Sequence, residues 1–282
     1  MDAWTALALQ PHIGVKTLRA LVAHFGSAQA VLDASPAQLK QVHGVGSVTA
    51  QRIAAINLEA LQTQFHAWAR QGVTLLTPDH PAYPTPLLDV EDAPPVLFAL
   101  GKPHLALWTK TVAIVGTRSP EQHLHALTQG LALRLASEGS TIISGLALGV
   151  DTAAHLGALS AARRRTVAVM GSGVLNVYPV LNRALAQQVT THGLLLSEVL
   201  PRADVSSSQL VARNRIISGL SRTVIVVQTE LDGGAMYAAR AAFAQGRPVY
   251  AVDLPYSGNQ QLIREGAVRL SPLLAPWPFG DE

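Results

Sequence analysis

The sequence predicts an α/β fold: a doubly wound, mostly parallel sheet preceded by a small all-α segment. Three observations predict it. From Thr111 onward, short apolar runs alternate with helical stretches. The runs are apolar almost without interruption, as strands buried on both faces of a parallel sheet must be. Glycine-rich turns follow several of them, at Ile114-Val115, Ile143, Val169-Met170 and Val226-Val227, so the turns gather at one end of the sheet.

Residues 1–70 read as helical. Leu18, Leu21, Val22 and Phe25 recur at helical spacing, and Val48, Ile53 and Ile56 do so less regularly. Within this block QVHGVGSVTAQRIAAI (Gln41 to Ile56) has the helix-hairpin-helix pattern, with Gly44 and Gly46 turning the hairpin. N–H groups at the following helix start can meet a phosphate, so Gly44 and Gly46 are candidates for a DNA contact. The alternative is that they only end helices in a small interaction bundle. PHIGVKTLRALVAHFG (Pro11 to Gly26) reads as a degenerate first copy with Gly14 aligned to Gly46, and for it the bundle reading is preferred.

Residues 71–110 form a connector. Pro78, Pro81, Pro84, Pro86, Pro94, Pro95 and Pro103 exclude regular helix there. VLFALG (Val96 to Gly101) reads as a short strand on the edge of the next domain, which spans 111–282. Its strands are expected at Thr111–Val115, Thr141–Ile143, Val167–Met170, Leu194–Leu196, Thr223–Val227 and Val249–Val252. Helices are expected near 121–137, 152–161, 180–191, 235–245 and 259–265. Right-handed crossovers then place ligands at the strand C-termini.

Composition excludes several classes. A hydrophobic fraction of 49% supports a real core. The longest apolar runs, such as Val167 to Met170, are far too short to span a bilayer, and no signal peptide is evident. The absence of cysteine excludes disulfides and thiolate chemistry and fits a cytoplasmic protein. Net charge is +3, and every basic residue after Lys110 is arginine. Arginine forks suit phosphate oxygens, although a GC-rich genome favours arginine equally well.

Five stretches could carry chemistry. VAIVGTR (Val112 to Arg118) turns at Gly116 and Thr117 and points Arg118 at the strand end, without the spacing of a dinucleotide fingerprint. TIISGLALGVDTAAH (Thr141 to His155) runs from strand through Ser144, Gly145 and Gly149 into a helix, the geometry that offers N–H groups to an anion. There Asp151 reads as a helix cap and His155 as a packing residue. GSGVLNVYPVLNRAL (Gly171 to Leu185) contributes Gly171, Gly173, Tyr178, Asn182 and Arg183, a tyrosine to stack on a base and an arginine to meet a phosphate. ARNRIISGL (Ala212 to Leu220) holds Arg213, Asn214 and Arg215. The two arginines either clamp one phosphate from a loop or helix, or one pairs with an internal carboxylate such as Glu198. LDGGAMYAAR (Leu231 to Arg240) opens another helix at Gly233 and Gly234.

In order, VAIVGTR, SGLALGVDTAAH, GSGVLNVYP with Asn182, LLLSE, RNRIISGLS and LIREGAV resemble the DprA/Smf (DNA-processing protein A) family. The resemblance starts at HPAYPTPLLDVEDAPPVLFALG and reaches nearly the end of the chain. It implies an extended Rossmann-like sheet domain after a helix-hairpin-helix (SAM-like) domain. It also implies a cytoplasmic, non-enzymatic homodimer that binds single-stranded DNA in natural transformation and homologous recombination. Such proteins protect incoming DNA and help load the RecA recombinase onto it, without cofactor, metal or membrane. Arg118 and the glycine turns would then line the DNA pocket.

Departures from the family pattern fall at Ser119-Pro120-Glu121, Gln228, Asp232-Gly233-Gly234, Tyr237-Ala238 and Asp253-Leu254. Many members also carry a winged-helix-like C-terminal domain. This sequence stops after PWPFGDE, so that domain is expected to be absent or removed. Two other readings differ in class. One is a nucleotide-phosphoribohydrolase-like enzyme, whose G-G-x-G-T-x-x-E element meets Met236, Tyr237 and Arg240 here in place of glycine, threonine and glutamate. The other is a protein-recruitment module with vestigial DNA affinity.

Overall fold

The computed structural model describes residues 2–10 and 13–274. Pro11 and His12 of the first hairpin copy, and the terminal PWPFGDE, lie outside the described residues.

Six helices come first: α1 (Ala3–Ala8), α2 (Val15–Phe25), α3 (Ala28–Asp33), α4 (Pro36–Leu39), α5 (Ser47–Ala54) and α6 (Leu58–Ala69). The first five enclose a core of their own around Leu7, Leu18, Leu21, Val31, Leu39 and Ile53, while Trp68 of α6 packs edge-on against Phe98 of the sheet. Side chains cap several of these helices. Ser35 and Gln38 form a capping box on α4, and Asn57 accepts from Ala60 N at 3.0 Å on α6. Gly14 and Gly46 are the N-caps of α2 and α5. Both glycines therefore begin helices. The positive φ of Gly44, 85°, makes the tight hairpin turn.

The rest is one nine-stranded sheet: β1 (Val73–Leu76), β2 (Leu97–Gly101), β3 (Thr111–Val115), β4 (Thr141–Ser144), β5 (Thr166–Val169), β6 (Leu194–Ser197), β7 (Thr223–Val226), β8 (Val249–Val252) and β9 (Val268–Leu270). The order is β1-β2-β6-β5-β4-β3-β7-β8-β9. Strands β3 to β9 run parallel, while β2 is antiparallel to β6 and β1 to β2. VLFALG therefore forms a strand, but β1 covers it and it is not the edge. The proline-rich stretch between β1 and β2 also enters the core: Tyr83 and Leu87 are buried there, and the Tyr83 hydroxyl donates to Pro94 O at 2.7 Å.

Helices flank both faces: α7 (Gln122–Ser137), α8 (Val150–Ser160), α9 (Arg183–His192), α10 (Ser207–Ala212), α11 (Asn214–Gly219), α12 (Gly234–Ala244) and α13 (Ser257–Arg264). Parallel strands sheathed on both faces explain the unbroken apolar runs. Every residue of β3, β4, β5 and β6 is buried. Between α7 and α8 the packing is close enough that a Cβ on Gly157 would strike the α7 backbone. Among the described residues no helix is long and apolar enough to cross a membrane.

The chain winds one way from β3 through β6, then returns to place β7 on the other side of β3. The loops after β3 and β7 diverge there, and the gap between them is the topological switch point.

Candidate nucleic-acid interface

A cleft of about 600 Å³ occupies this switch point. The loop after β3 forms one wall with Gly116, Thr117 and Arg118. The loop after β7 forms the other with Thr229, Glu230, Asp232, Gly233 and Gly234. Tyr178, Ser207, Leu210, Arg213 and Asn214 close the remaining side. A recess of about 80 Å³ opens beside it, between Arg118, Leu148, Tyr178, Leu210 and Arg213.

The β3 wall is fixed by its own backbone. Thr117 N donates to Gln228 O at 2.8 Å, and Thr117 O accepts from Val150 N at 3.1 Å. Gly116 has no room for a side chain, because a Cβ would lie 2.6 Å from Val150 Cγ2. Gly149 at φ 76° brings α8 against the same loop, where a Cβ would lie 2.5 Å from Thr117 O. Arg118 stands on this rigid base, exposed, with no hydrogen bond or ion pair among the described residues.

The β4 loop departs from expectation. Its N–H groups were expected to face an anionic ligand. Instead, Gly145 N and Ala147 N both donate to Asp151 Oδ2, each at 3.2 Å. The chain supplies its own anion. Asp151 is therefore not the cap of α8, since Gly149 holds that position; it is a buried carboxylate in the first turn that binds the preceding loop. Arg213 lies beside it, with Nη2 3.9 Å from Asp151 Oδ2, and its Nη1 donates to Gly145 O and Val169 O, both at 2.6 Å. Burial raises the Asp151 carboxyl above its ordinary range, against the opposing pull of Arg213 and the loop N–H groups. Burial likewise lowers the Arg213 guanidinium, while Asp151 opposes it.

His155 is a packing residue as expected. Its Nδ1 lies 2.7 Å from Thr166 Oγ1, whose proton goes to Ile142 O, so Nδ1 carries the ring proton. Burial, then the nearby Arg213 charge, pushes its pKa down to about 3.

The remaining candidates separate. Asn214 lines the cleft and donates to Gly234 O at 3.4 Å. Asn182 is buried and donates to Leu146 O at 2.8 Å and Thr152 Oγ1 at 3.0 Å. It pins Leu146, which adopts a left-handed φ of 59°. Ser144 donates to Ile114 O at 2.7 Å inside the sheet. Gly171 packs on Leu210, and Gly173 on the backbone at Pro201. Arg183 is exposed at the start of α9 and lines neither cleft nor recess. The two-arginine clamp does not form: Arg215 turns away from Arg213 to pair with Glu198, and with Asp92 at 3.4 Å. Gly44 and Gly46 lie in the helical domain and take no part in the cleft.

Ser207, Leu210, Val211, Thr229 and Glu230 line the cleft but were not expected there. Helix α10 carried a usable signal. Ser206 accepts from Gln209 N at 3.2 Å and donates to Gln209 Oε1 at 2.9 Å, a serine–glutamine cap three residues apart. Helix α12 starts at the cleft from Gly233 with no side-chain cap, so its first N–H groups and its positive dipole end face the opening.

The fold and the cleft define a class: a doubly wound α/β protein with an open cleft at its switch point, lined by both arginine and carboxylate side chains. Within that class, the DNA recombination-mediator protein A family matches residues 74–273, and the SAM-like helix-hairpin-helix tandem matches residues 10–55. The chain belongs to the DNA recombination-mediator protein A family. Protein Smf of Synechocystis is 35% identical over 92% of the chain, which spans 65% of that relative's length. The X-ray structure of DNA processing protein A from Streptococcus pneumoniae aligns with a TM-score of 0.79 at 27% identity, covering 99% of this chain and 97% of that one. DNA processing protein A from Helicobacter pylori, a structure described for its single-stranded DNA binding mode, aligns with a TM-score of 0.64 at 30% identity, covering 70% and 90%.

Proposed function

We propose that the cleft binds single-stranded DNA, led by its phosphates, and that the protein acts in DNA processing during natural transformation and recombination. The observation that carries this reading is Arg118: an exposed cation on a rigid loop, facing an uncapped helix start across the cleft. A phosphate bridging them would meet a guanidinium fork on one side and backbone N–H groups on the other. Tyr178, 42% exposed at the mouth, supplies a face on which any base can stack. The Helicobacter relative's single-stranded DNA binding supports the same ligand.

The protein is read as a binder and not as an enzyme. Met236 is buried and Arg240 stands where the phosphoribohydrolase pattern has its glutamate, so no carboxylate from that element can support an oxocarbenium-like centre. Handing the strand to RecA, a homodimeric state and a cytoplasmic setting complete the proposal. An anisotropy titration with oligo-dT at two salt concentrations tests the binding claim. Affinity that falls steeply with salt supports it; no binding at low salt contradicts it. Release of free base from nucleoside monophosphates would support the enzyme reading instead.

A further inference from the structure

The opposite end of the sheet carries a second charged surface. Strands β3, β5 and β7 each begin directly after a basic residue: Lys110, Arg165 and Arg222. Strand register aligns these starts, since Thr111 pairs with Thr141, Ile142 with Thr166, and Val112 with Thr223. Antiparallel β2 ends at the same border, where Gly101 pairs with Leu194, and Lys102 follows it. Arg163 and Arg164 add to the row in the turn before Arg165. With neighbouring strands about 4.8 Å apart, the cations from Arg165 to Arg222 span roughly 15 Å.

These charges are largely uncommitted. Among the described residues Lys102, Lys110, Arg163 and Arg222 are exposed and make no side-chain hydrogen bond or ion pair. Arg164 meets His192 Nε2 at 3.2 Å, and Arg165 donates to Ala106 O at 3.4 Å. The carboxylate at this border, Glu138, is held by Arg134 at 3.2 Å. Past β7 the row stops, because Arg247 donates to Pro86 O and borders a pocket with Asp89, Glu91 and Asp92. Helices α7, α8, α9, α11 and α12 end at this border, and their negative dipole ends account for some of these cations. They do not require six cations on one border.

We infer that this border is a second nucleic-acid contact surface, reading the phosphodiester backbone on the side of the sheet away from the cleft. Among the described residues the row carries no exposed tryptophan, tyrosine or phenylalanine, so it holds a strand by charge without regard to base. A protein with both surfaces holds two nucleic-acid segments at once. This inference does not depend on the cleft reading.

The test uses the full chain and a triple variant, Lys110→Gln, Arg163→Gln and Arg222→Gln. Fluorescence titration at low salt with a short dT oligonucleotide should give two sites per chain in the wild type and one in the variant. The summed log–log salt slope should fall by at least about 2, since the three replaced cations account for three single-strand phosphate contacts at about 0.7 each. In the wild type a short duplex should compete at the border site as well as a dA oligonucleotide does. Arg118→Ala should keep the border site and weaken the cleft site, so failure of one reading leaves the other measurable. Unchanged stoichiometry and slope in the triple variant would overturn the inference, as would loss of binding to an acidic peptide with DNA binding intact. A circular-dichroism melt keeps the test valid: a variant that melts early is replaced by Lys110→Gln with Arg222→Gln.

Discussion

The Arg213 guanidinium occupies the space that a Gly145 side chain would need. This one substitution of space ties β4, β5 and the first turn of α8 together, because the same guanidinium donates to Gly145 O and Val169 O and faces Asp151. Glycine here serves an internal cation, and the bound arginine becomes part of the cleft wall.

Replacing that arginine should be costly for stability. Arg213→Ala leaves Asp151 buried without its counter-charge, a loss of about 3–5 kcal/mol. Gly145→Ala should destabilise by about 2 kcal/mol or more, since the guanidinium must leave its two carbonyls. Urea unfolding of both variants checks this. Midpoints equal to the wild type would show that the pair is dispensable.

Acid should destabilise the fold through His155. Its folded pKa, about 3, lies below the ordinary histidine value near 6.5, so the unfolded chain takes up the proton first. The stability it contributes is intact above about pH 7 and is lost as pH falls from about 6.5 towards 3, at up to about 1.4 kcal/mol per unit. In His155→Asn, which can keep a donor towards Thr166, the loss over this range should be smaller. A curve identical to the wild type would remove His155 from the account.

Much of this architecture can be read from residue order alone. The runs Thr111–Val115 and Val249–Val252 form strands at the expected bounds because buried parallel strands leave a continuous apolar signal. Strand β9 escapes detection: it is three residues long, and Val268 and Arg269 are exposed. β1 is hidden in the same way by its length and by the prolines that follow it. At the site, Gly116, Arg118, Tyr178 and Gly233 can be found because they end strands or flank turns. The Asp151 and Arg213 partnership cannot, since 62 positions separate the two residues and only the sheet brings them together. Periodicity does not reveal whether a turn's N–H groups face solvent or an internal carboxylate.

The rim carries an opposing charge. Asp232 is exposed on the β7 wall. Asp232→Asn should tighten binding of single-stranded DNA by two- to fivefold at low salt, about 0.5–1 kcal/mol, and the gain should shrink as salt screens it. Competition titrations at two ionic strengths measure it. Weaker binding would mean that the carboxylate assists the ligand.

Stacking and charge should separate at the mouth. Tyr178→Ala should cost about 1–3 kcal/mol with either dT or dA and leave the salt slope unchanged, while Tyr178→Phe retains affinity. Arg118→Ala should weaken every sequence alike and lower the slope by about 0.7, without shifting the melting temperature, since Arg118 holds no internal partner. A tyrosine variant that alters the slope would show that the two roles are not distinct.

The most direct measurement is a structure of the chain with a short oligo-dT. A phosphate is expected within hydrogen-bond distance of the Arg118 guanidinium and the first N–H groups of α12, with a base against Tyr178. A strand lying elsewhere, with this cleft empty and Arg118 in solvent, would contradict it.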